Sequence, residues 1–176
     1  MDIGDYIRTR AGFGWALPLP QELLFQYHIW CENIFVVYKM NHINVEGVVL
    51  PNVPLSNFQI IGAAKKLKIK NMRGVFVRNE LPKRPNKVEC GILNLDDSQG
   101  SGTHWTAWMK NGNEKLYFDS YGLAPPVELV EYLKRPVLYN SERIQPDGTV
   151  FCGHLCLYVL KKCESEDFQQ VINNLY

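Results

Sequence analysis

A domain that mixes helix and strand is what this sequence predicts, and two stretches carry most of that prediction. The alternating segment His104-Trp105-Thr106-Ala107-Trp108, the turn Asn111-Gly112-Asn113 and the return segment Leu116-Tyr117-Phe118-Asp119 read as an antiparallel hairpin. Further on, Phe151-Cys152-Gly153-His154-Leu155-Cys156-Leu157-Tyr158-Val159-Leu160 is nearly all apolar and reads as a buried helix whose first turn presents Cys152. At 176 residues and 46% apolar content, the chain suits one domain, or one domain with an extension, and can bury its own core without staples.

Taken in order, residues 1–55 read as an N-terminal extension of unclear role, and 56–176 as the main domain. Gly12, Gly14, Pro18 and Pro20 punctuate the start, Pro20-Gln21-Glu22 opens a helix through Leu23, Leu24, Tyr27 and Cys31, and 33–40 has strand composition. His28 and His42 have no matching cluster and read as surface or packing residues. Pro51 and Pro54 mark a break. Ser56 is an N-cap for a helix carrying Phe58, Ile61, Ala64 and Leu67. Gly74-Val75-Phe76-Val77 is a short strand, and Leu81-Pro82 to Pro85-Asn86 a basic loop. Glu89 to Leu95 is a strand buried on both faces, with Cys90 a core thiol. After the hairpin, Pro125-Pro126 start a short helix over 127–134 that Pro136 ends. Val137-Leu138-Tyr139-Asn140 is another strand, Pro146-Asp147-Gly148 a turn, and 165–176 a last helix.

The net charge of +1 makes no strong electrostatic claim on nucleic acid, and the cluster Lys65, Lys66, Lys68, Lys70 and Arg73 reads as a solvated helix face and its exit, with a nucleic-acid patch as the alternative. Five cysteines in no framework pattern point to reduced thiols in an intracellular protein. The opening Met1-Asp2-Ile3-Gly4-Asp5 lacks the apolar core of a signal peptide, and no apolar run reaches membrane-span length.

The hairpin and the helix meet in a chemical sense as well. A helix start carries unpaired N–H groups and partial positive charge, which favour a thiolate at Cys152. His104 begins one hairpin strand and Asp119 ends its partner, so an imidazole and a carboxylate fall at one rim of the sheet. A thiol nucleophile needs such a base, and the base needs an orienting group. The Cys152 N–H and the Gln145 amide, seven positions upstream, are candidate donors for an oxyanion. Together these groups suffice for acyl transfer with no metal and no cofactor. Each alone has a plain structural role: a strand-end histidine, a turn carboxylate, a core thiol. Cys152, His154 and Cys156 are too cramped for zinc, and no fourth ligand accompanies them. His154 itself reads as an ordinary helix residue.

These residues resemble the motifs of the adenovirus-type (adenain-like) cysteine proteases, which are related to the SUMO-deconjugating Ulp peptidases. The motifs are Gly102-Thr103-His104-Trp105, Tyr117-Phe118-Asp119-Ser120-Tyr121-Gly122, Gln145 and Cys152-Gly153-His154-Leu155-Cys156, with Cys90-Gly91-Ile92-Leu93-Asn94 upstream; the likeness covers roughly 56–165. The resemblance implies an α+β fold, papain-like but permuted, with a mostly antiparallel sheet packed on a central helix that starts at the nucleophile. It implies Cys152 as nucleophile, His104 as base, Asp119 as orienting acid, Gln145 at the oxyanion hole and Trp105 walling a narrow substrate channel. An aspartate at 119 is more like Ulp peptidases, whereas the spacing from Gln145 to Cys152 is more like adenain. No cysteine lies between Cys90 and Cys152 to receive the disulfide-tethered peptide that activates adenovirus enzymes.

The resemblance further implies a cysteine endopeptidase that cuts viral or virus-like precursors, such as capsid proteins, at glycine-containing sites. Such proteins are expected from viruses or Polinton/Maverick-like elements, in the host nucleus or cytoplasm or packaged in a virion. DNA or a peptide is a candidate activator, which the near-neutral charge and the missing cysteine disfavour, and no membrane partner is expected. The alternatives are a deconjugase for ubiquitin-like modifiers, an acetyltransferase on the same triad, and a silent virion-associated binding module. Gly12-Phe13-Gly14 is a candidate self-processing site.

Overall fold

A computed structural model describes residues 42–175. The helix expected from Pro20, the strand at 33–40, Gly12-Phe13-Gly14 and His28 lie outside the described residues.

The fold is α+β. The described residues open with a hairpin of β1 (His42–Val45) and β2 (Val48–Pro51), turned by Glu46 and Gly47, both at positive φ. Two such residues make the turn whose twist matches a hairpin, and the Asn44 side chain accepts from the Gly47 N–H at 2.8 Å. This hairpin lies upstream of the boundary expected at residue 56, yet Ile43, Val45, Leu50 and Leu55 are buried in the core shared with the rest. A hairpin this short has too little apolar surface of its own and finds its stability by packing.

The helix α1 (Asn57–Lys66) starts at Ser56 with a full capping box: the Ser56 side chain accepts from the Gln59 N–H, and the Gln59 side chain accepts from the Ser56 N–H. It buries Ile60, Ala63 and Ala64. Then come β3 (Met72–Val77), β4 (Val88–Asn94), β5 (Trp105–Asn111) and β6 (Glu114–Phe118), α2 (Val127–Leu133), β7 (Leu138–Tyr139), α3 (Cys152–Lys162) and α4 (Phe168–Asn173).

The larger sheet has the order β3-β4-β5-β6-β7. Its central strands β4, β5 and β6 are antiparallel, whereas β3 joins β4, and β7 joins β6, in parallel. Those parallel edges are reached by crossovers, one of them carrying α2, and no hairpin signal marks them in the sequence. One face of the sheet presents Cys90, Ile92, Ala107 and Phe118 to α1 and α3; the other presents Leu93, Trp108 and Tyr117 to Leu129, Tyr132 and Leu133 of α2. Alternation along each strand therefore feeds two separate cores. Gly91 is required by this arrangement, because a Cβ there would fall 2.2 Å from the Trp108 ring.

Residues Gly153 to Leu160 of α3 are all buried, as the uniformly apolar run predicts. Removing Leu155, Leu157, Val159 and Leu160 from water contributes roughly 6–12 kcal/mol before entropy is counted. That burial anchors α3 behind the sheet and leaves its first turn at the rim where β5 begins and β6 ends. The last helix is shorter than expected, N-capped by Asp167, whose carboxylate accepts from the Gln169 and Gln170 N–H groups.

Candidate active site

His104 enters from a loop that its own backbone closes. Asn94, the last residue of β4, accepts through Oδ1 from the Asp96 and Thr103 N–H groups at 2.9 and 3.1 Å, and Asp96 Oδ2 accepts from the Gly102 N–H at 3.0 Å. The Leu95 N–H then reaches the His104 carbonyl at 2.9 Å. The Gly/Ser-rich loop is thereby fixed at both ends, and the imidazole arrives one residue before β5 in a defined place.

Asp119 follows β6 directly and is fully buried. Asn140, just past β7, clamps its peptide: Asn140 Oδ1 accepts from the Asp119 N–H at 3.0 Å, and Asn140 Nδ2 donates to the Asp119 carbonyl at 2.6 Å. The carboxylate oxygen Oδ1 accepts from the Tyr121 N–H at 2.7 Å and from His104 Nε2 at 2.8 Å. With Nε2 bound to the carboxylate, the ring nitrogen left for the sulfur is Nδ1.

The sulfur is that of Cys152, the first residue of α3 and only part-buried. No side chain among the described residues caps this helix start. Gly153 lets the first turn come close to β5 and α1: a Cβ there would meet Trp105, Ile60 and Leu55 at 3.3–3.4 Å. Burial by itself pushes the Cys152 thiol up. A hydrogen bond with His104, the Trp105 and Gly153 backbone N–H groups and the imidazolium charge outweigh it, so the thiol lies below its ordinary value. The converse holds at His104. Burial pulls it down, but hydrogen bonds with Asp119 and Cys152 and both negative charges raise it to about 9. The same contacts therefore favour the thiolate at Cys152 and the imidazolium at His104.

Gln145 is buried. Its N–H donates to the Ser120 carbonyl, its Oε1 accepts from the Ser120 hydroxyl at 2.8 Å, and its Nε2 donates to the Thr149 carbonyl at 2.8 Å, with the Tyr121 hydroxyl at 3.4 Å. One amide hydrogen is thus held by Thr149, three residues before Cys152, and the other has a long, weak partner in the Tyr121 hydroxyl.

Cys152, His104 and Asp119, which the sequence singles out, lie together: His104 bonds Asp119 through Nε2 and shares a hydrogen bond with the Cys152 sulfur. Trp105 sits beside them half-buried, its indole N–H donating to the Leu55 carbonyl at 2.7 Å and its own carbonyl 3.3 Å from the Cys156 thiol. Besides its ring, Trp105 brings a backbone N–H to the sulfur, which residue type alone does not reveal. Asn140 and Tyr121 carried no assigned role in the sequence reading. Tyr121 was findable: an aspartate that ends a strand commonly bonds the N–H two residues on. Asn140 was not, since its contact crosses 21 positions between elements paired in parallel.

Chemically, the arrangement holds a thiol of lowered proton affinity, an imidazole of raised proton affinity beside it, a buried carboxylate bonded to that ring, and N–H groups at a helix start. It suits acyl transfer through a thioester.

No family model matches this chain, and no curated protein matches it. Among solved structures it is similar to the crystal structure of the Se-Met ASFV pS273R protease, at 17% identity and a TM-score of 0.48, covering 71% of this chain and 66% of that one. A second crystal structure of the ASFV pS273R protease matches at 14% identity and a TM-score of 0.48, covering 99% of this chain and 85% of that one. The chain spans just under two thirds of the length of the first of these.

Proposed function

We propose that this protein is a cysteine endopeptidase in which Cys152 is the nucleophile, His104 the general acid and base, Asp119 the orienting acid and Gln145 a donor to the oxyanion. The observation that carries the reading is the buried 2.8 Å bond between His104 Nε2 and Asp119, set beside a thiol at the head of α3 whose proton affinity is lowered. A structural histidine–aspartate pair has no need of a thiolate on its other nitrogen.

The steps follow from the donors. The Cys152 thiolate attacks the scissile carbonyl carbon, and the carbonyl π electrons move to oxygen. The oxyanion takes hydrogen bonds from the Cys152 N–H and from Gln145 Nε2. As the tetrahedral intermediate collapses, the C–N bond breaks and the His104 Nδ1 proton passes to the leaving amine. Neutral Nδ1 then takes a proton from water, the hydroxide attacks the thioester, and Cys152 leaves as thiolate. Asp119 holds the imidazolium in one orientation. The side chains and one water molecule supply every proton and electron pair in these steps, so the proposed chemistry calls for no cofactor.

For the substrate, the motif resemblance favours viral or virus-like precursor proteins cut at glycine-containing sites. The half-buried Trp105 indole beside Cys152 is consistent with a cleft that admits small residues. The test is labelling with a peptide vinyl sulfone ending in Gly-Gly, with and without added DNA. The expected result is one adduct on Cys152, lost in Cys152→Ala and His104→Ala. Absence of an adduct under both conditions would refute the proposal. Labelling by a ubiquitin-like modifier with the same warhead, and not by the peptide, would reassign the protein as a deconjugase.

A further inference from the structure

We infer that Tyr121 is a positioning residue that locks the base and the oxyanion donor into one rigid unit; this rests on the peptidase reading above. Four contacts carry it. The Tyr121 N–H donates to Asp119 Oδ1 at 2.7 Å, on the same oxygen that takes His104 Nε2. The Tyr121 ring stacks on the His104 ring, with centroids 4.6 Å apart and planes 20° from parallel. The Tyr121 hydroxyl lies 3.4 Å from Gln145 Nε2. The Arg143 guanidinium carbon stands 4.7 Å from the Tyr121 ring centroid, while its Nε donates to the Gln145 carbonyl at 3.1 Å.

These contacts close a circuit: Asp119 to His104, His104 to Tyr121, Tyr121 to Gln145, and Gln145 back through Arg143 to the Tyr121 ring. An imidazole held only through Nε2 can still pivot about that hydrogen bond and swing Nδ1 away from the sulfur. A parallel aromatic ring against its face removes that freedom. An electron-rich π face against the ring also favours the imidazolium over the neutral form. The hydroxyl has a separate effect. It meets the Gln145 amide hydrogen that Thr149 does not hold, and so aims that hydrogen before an oxyanion exists. Preset donors of this kind are what lowers the barrier, because nothing has to reorient as charge develops.

The backbone contact survives any substitution at 121, whereas ring and hydroxyl are separable. Tyr121→Phe keeps the stack and removes the hydroxyl; Tyr121→Leu removes both. A filler side chain of general packing value would not distinguish them in this way.

The experiment has a substrate-free arm and a turnover arm. In the first, the His104 ring protons are followed by NMR against pH. Wild type and Tyr121→Phe should titrate alike, and Tyr121→Leu about one pH unit lower, the size of one aromatic contact. Wild type should also show the His104 protons shifted upfield by the Tyr121 ring current. In the second arm, Tyr121→Phe should lose roughly tenfold in kcat on a Gly-Gly peptide with KM within about twofold, less than the loss of the Gln145 donor itself, because the amide stays and only its aim is relaxed. An unshifted titration in Tyr121→Leu overturns the inference. If that variant does not fold, absence of the ring-current shift in wild type overturns it instead. Failure of wild type to react with the vinyl sulfone refutes the peptidase reading alone, because the titration arm still decides whether Tyr121 holds His104.

Discussion

Replacing Asp119 with asparagine separates the charge of the carboxylate from its shape. In the folded protein Oδ1 accepts from His104 Nε2 at 2.8 Å and from the Tyr121 N–H at 2.7 Å, while Oδ2 is buried. An asparagine therefore has a reason to keep its oxygen at the Oδ1 position: two donors already point there. The tautomer of His104 is preserved, and the penalty stops short of the ~10⁴-fold loss expected when an amide turns its nitrogen to the imidazole. What goes is the charge. The interval from the ordinary 6.5 to about 9 at His104 corresponds to about 3 kcal/mol of preference for the imidazolium, part of which belongs to the thiolate. The carboxylate's share therefore sets a loss of up to about 100-fold in kcat/KM. The upper limb of the pH–rate profile, near 9 in wild type, should move down towards 6.5. Stability should follow the same sign. His104 holds its proton more tightly folded than unfolded, so that contribution is complete below pH 6.5 and disappears as pH rises through about 9. Asp119→Asn should then unfold at lower urea than wild type at pH 6, with the gap closing by pH 10. The assays are kcat/KM on a fluorogenic Gly-Gly peptide across pH, and urea midpoints at both ends. An upper limb that stays near 9 in the variant would refute the assignment of Asp119 as the group that holds the imidazolium.

Three other outcomes are expected. Gln145→Ala should lower kcat by about 10- to 1000-fold in single-turnover measurements with Cys152 alkylation by iodoacetamide little changed, because the amide acts on the oxyanion and not on the thiol; an unaltered kcat would contradict this. Gly91→Ala should cost about 1–3 kcal/mol or more in urea unfolding, since its Cβ must displace the buried Trp108 ring from 2.2 Å; a stability equal to wild type would show that the indole can move away freely. His154 is buried, with its Nε2–H on the Pro51 carbonyl at 3.0 Å. Burial holds its proton affinity down despite that contact, so the unfolded chain takes a proton below about pH 6.5 that the native state refuses. Wild type should therefore lose stability from pH 7.5 to pH 5 more steeply than His154→Gln, and equal slopes in urea titrations would speak against a neutral buried imidazole.

Local signals in the chain were enough for several elements. The Ser56 cap, the turn at Gly112, the strand through Ile92 and Leu93, and the helix at Cys152 each follow from residues a few positions apart, where propensity, capping and period act directly. The hairpin also brought His104 and Asp119 to one rim, because the register of an antiparallel pair is fixed by its turn. Other features have no local signature. The β1–β2 hairpin's membership of the core, the parallel edges β3 and β7, and the Asn140 clamp on Asp119 all depend on which faces find each other after the chain has crossed over.

Sequence by itself determined which groups were available for chemistry and on which elements they stood: a thiol at a helix start, an imidazole before a strand, a carboxylate after its partner. Only the tertiary structure decided how they face one another, that Nε2 and not Nδ1 takes the carboxylate, and that Tyr121 and Asn140 hold the arrangement in place. The reason is range. Capping, turns and periodicity act over three or four residues, whereas ring orientation and buried hydrogen bonds depend on packing between segments tens of residues apart, and many sequences present the same local pattern without it.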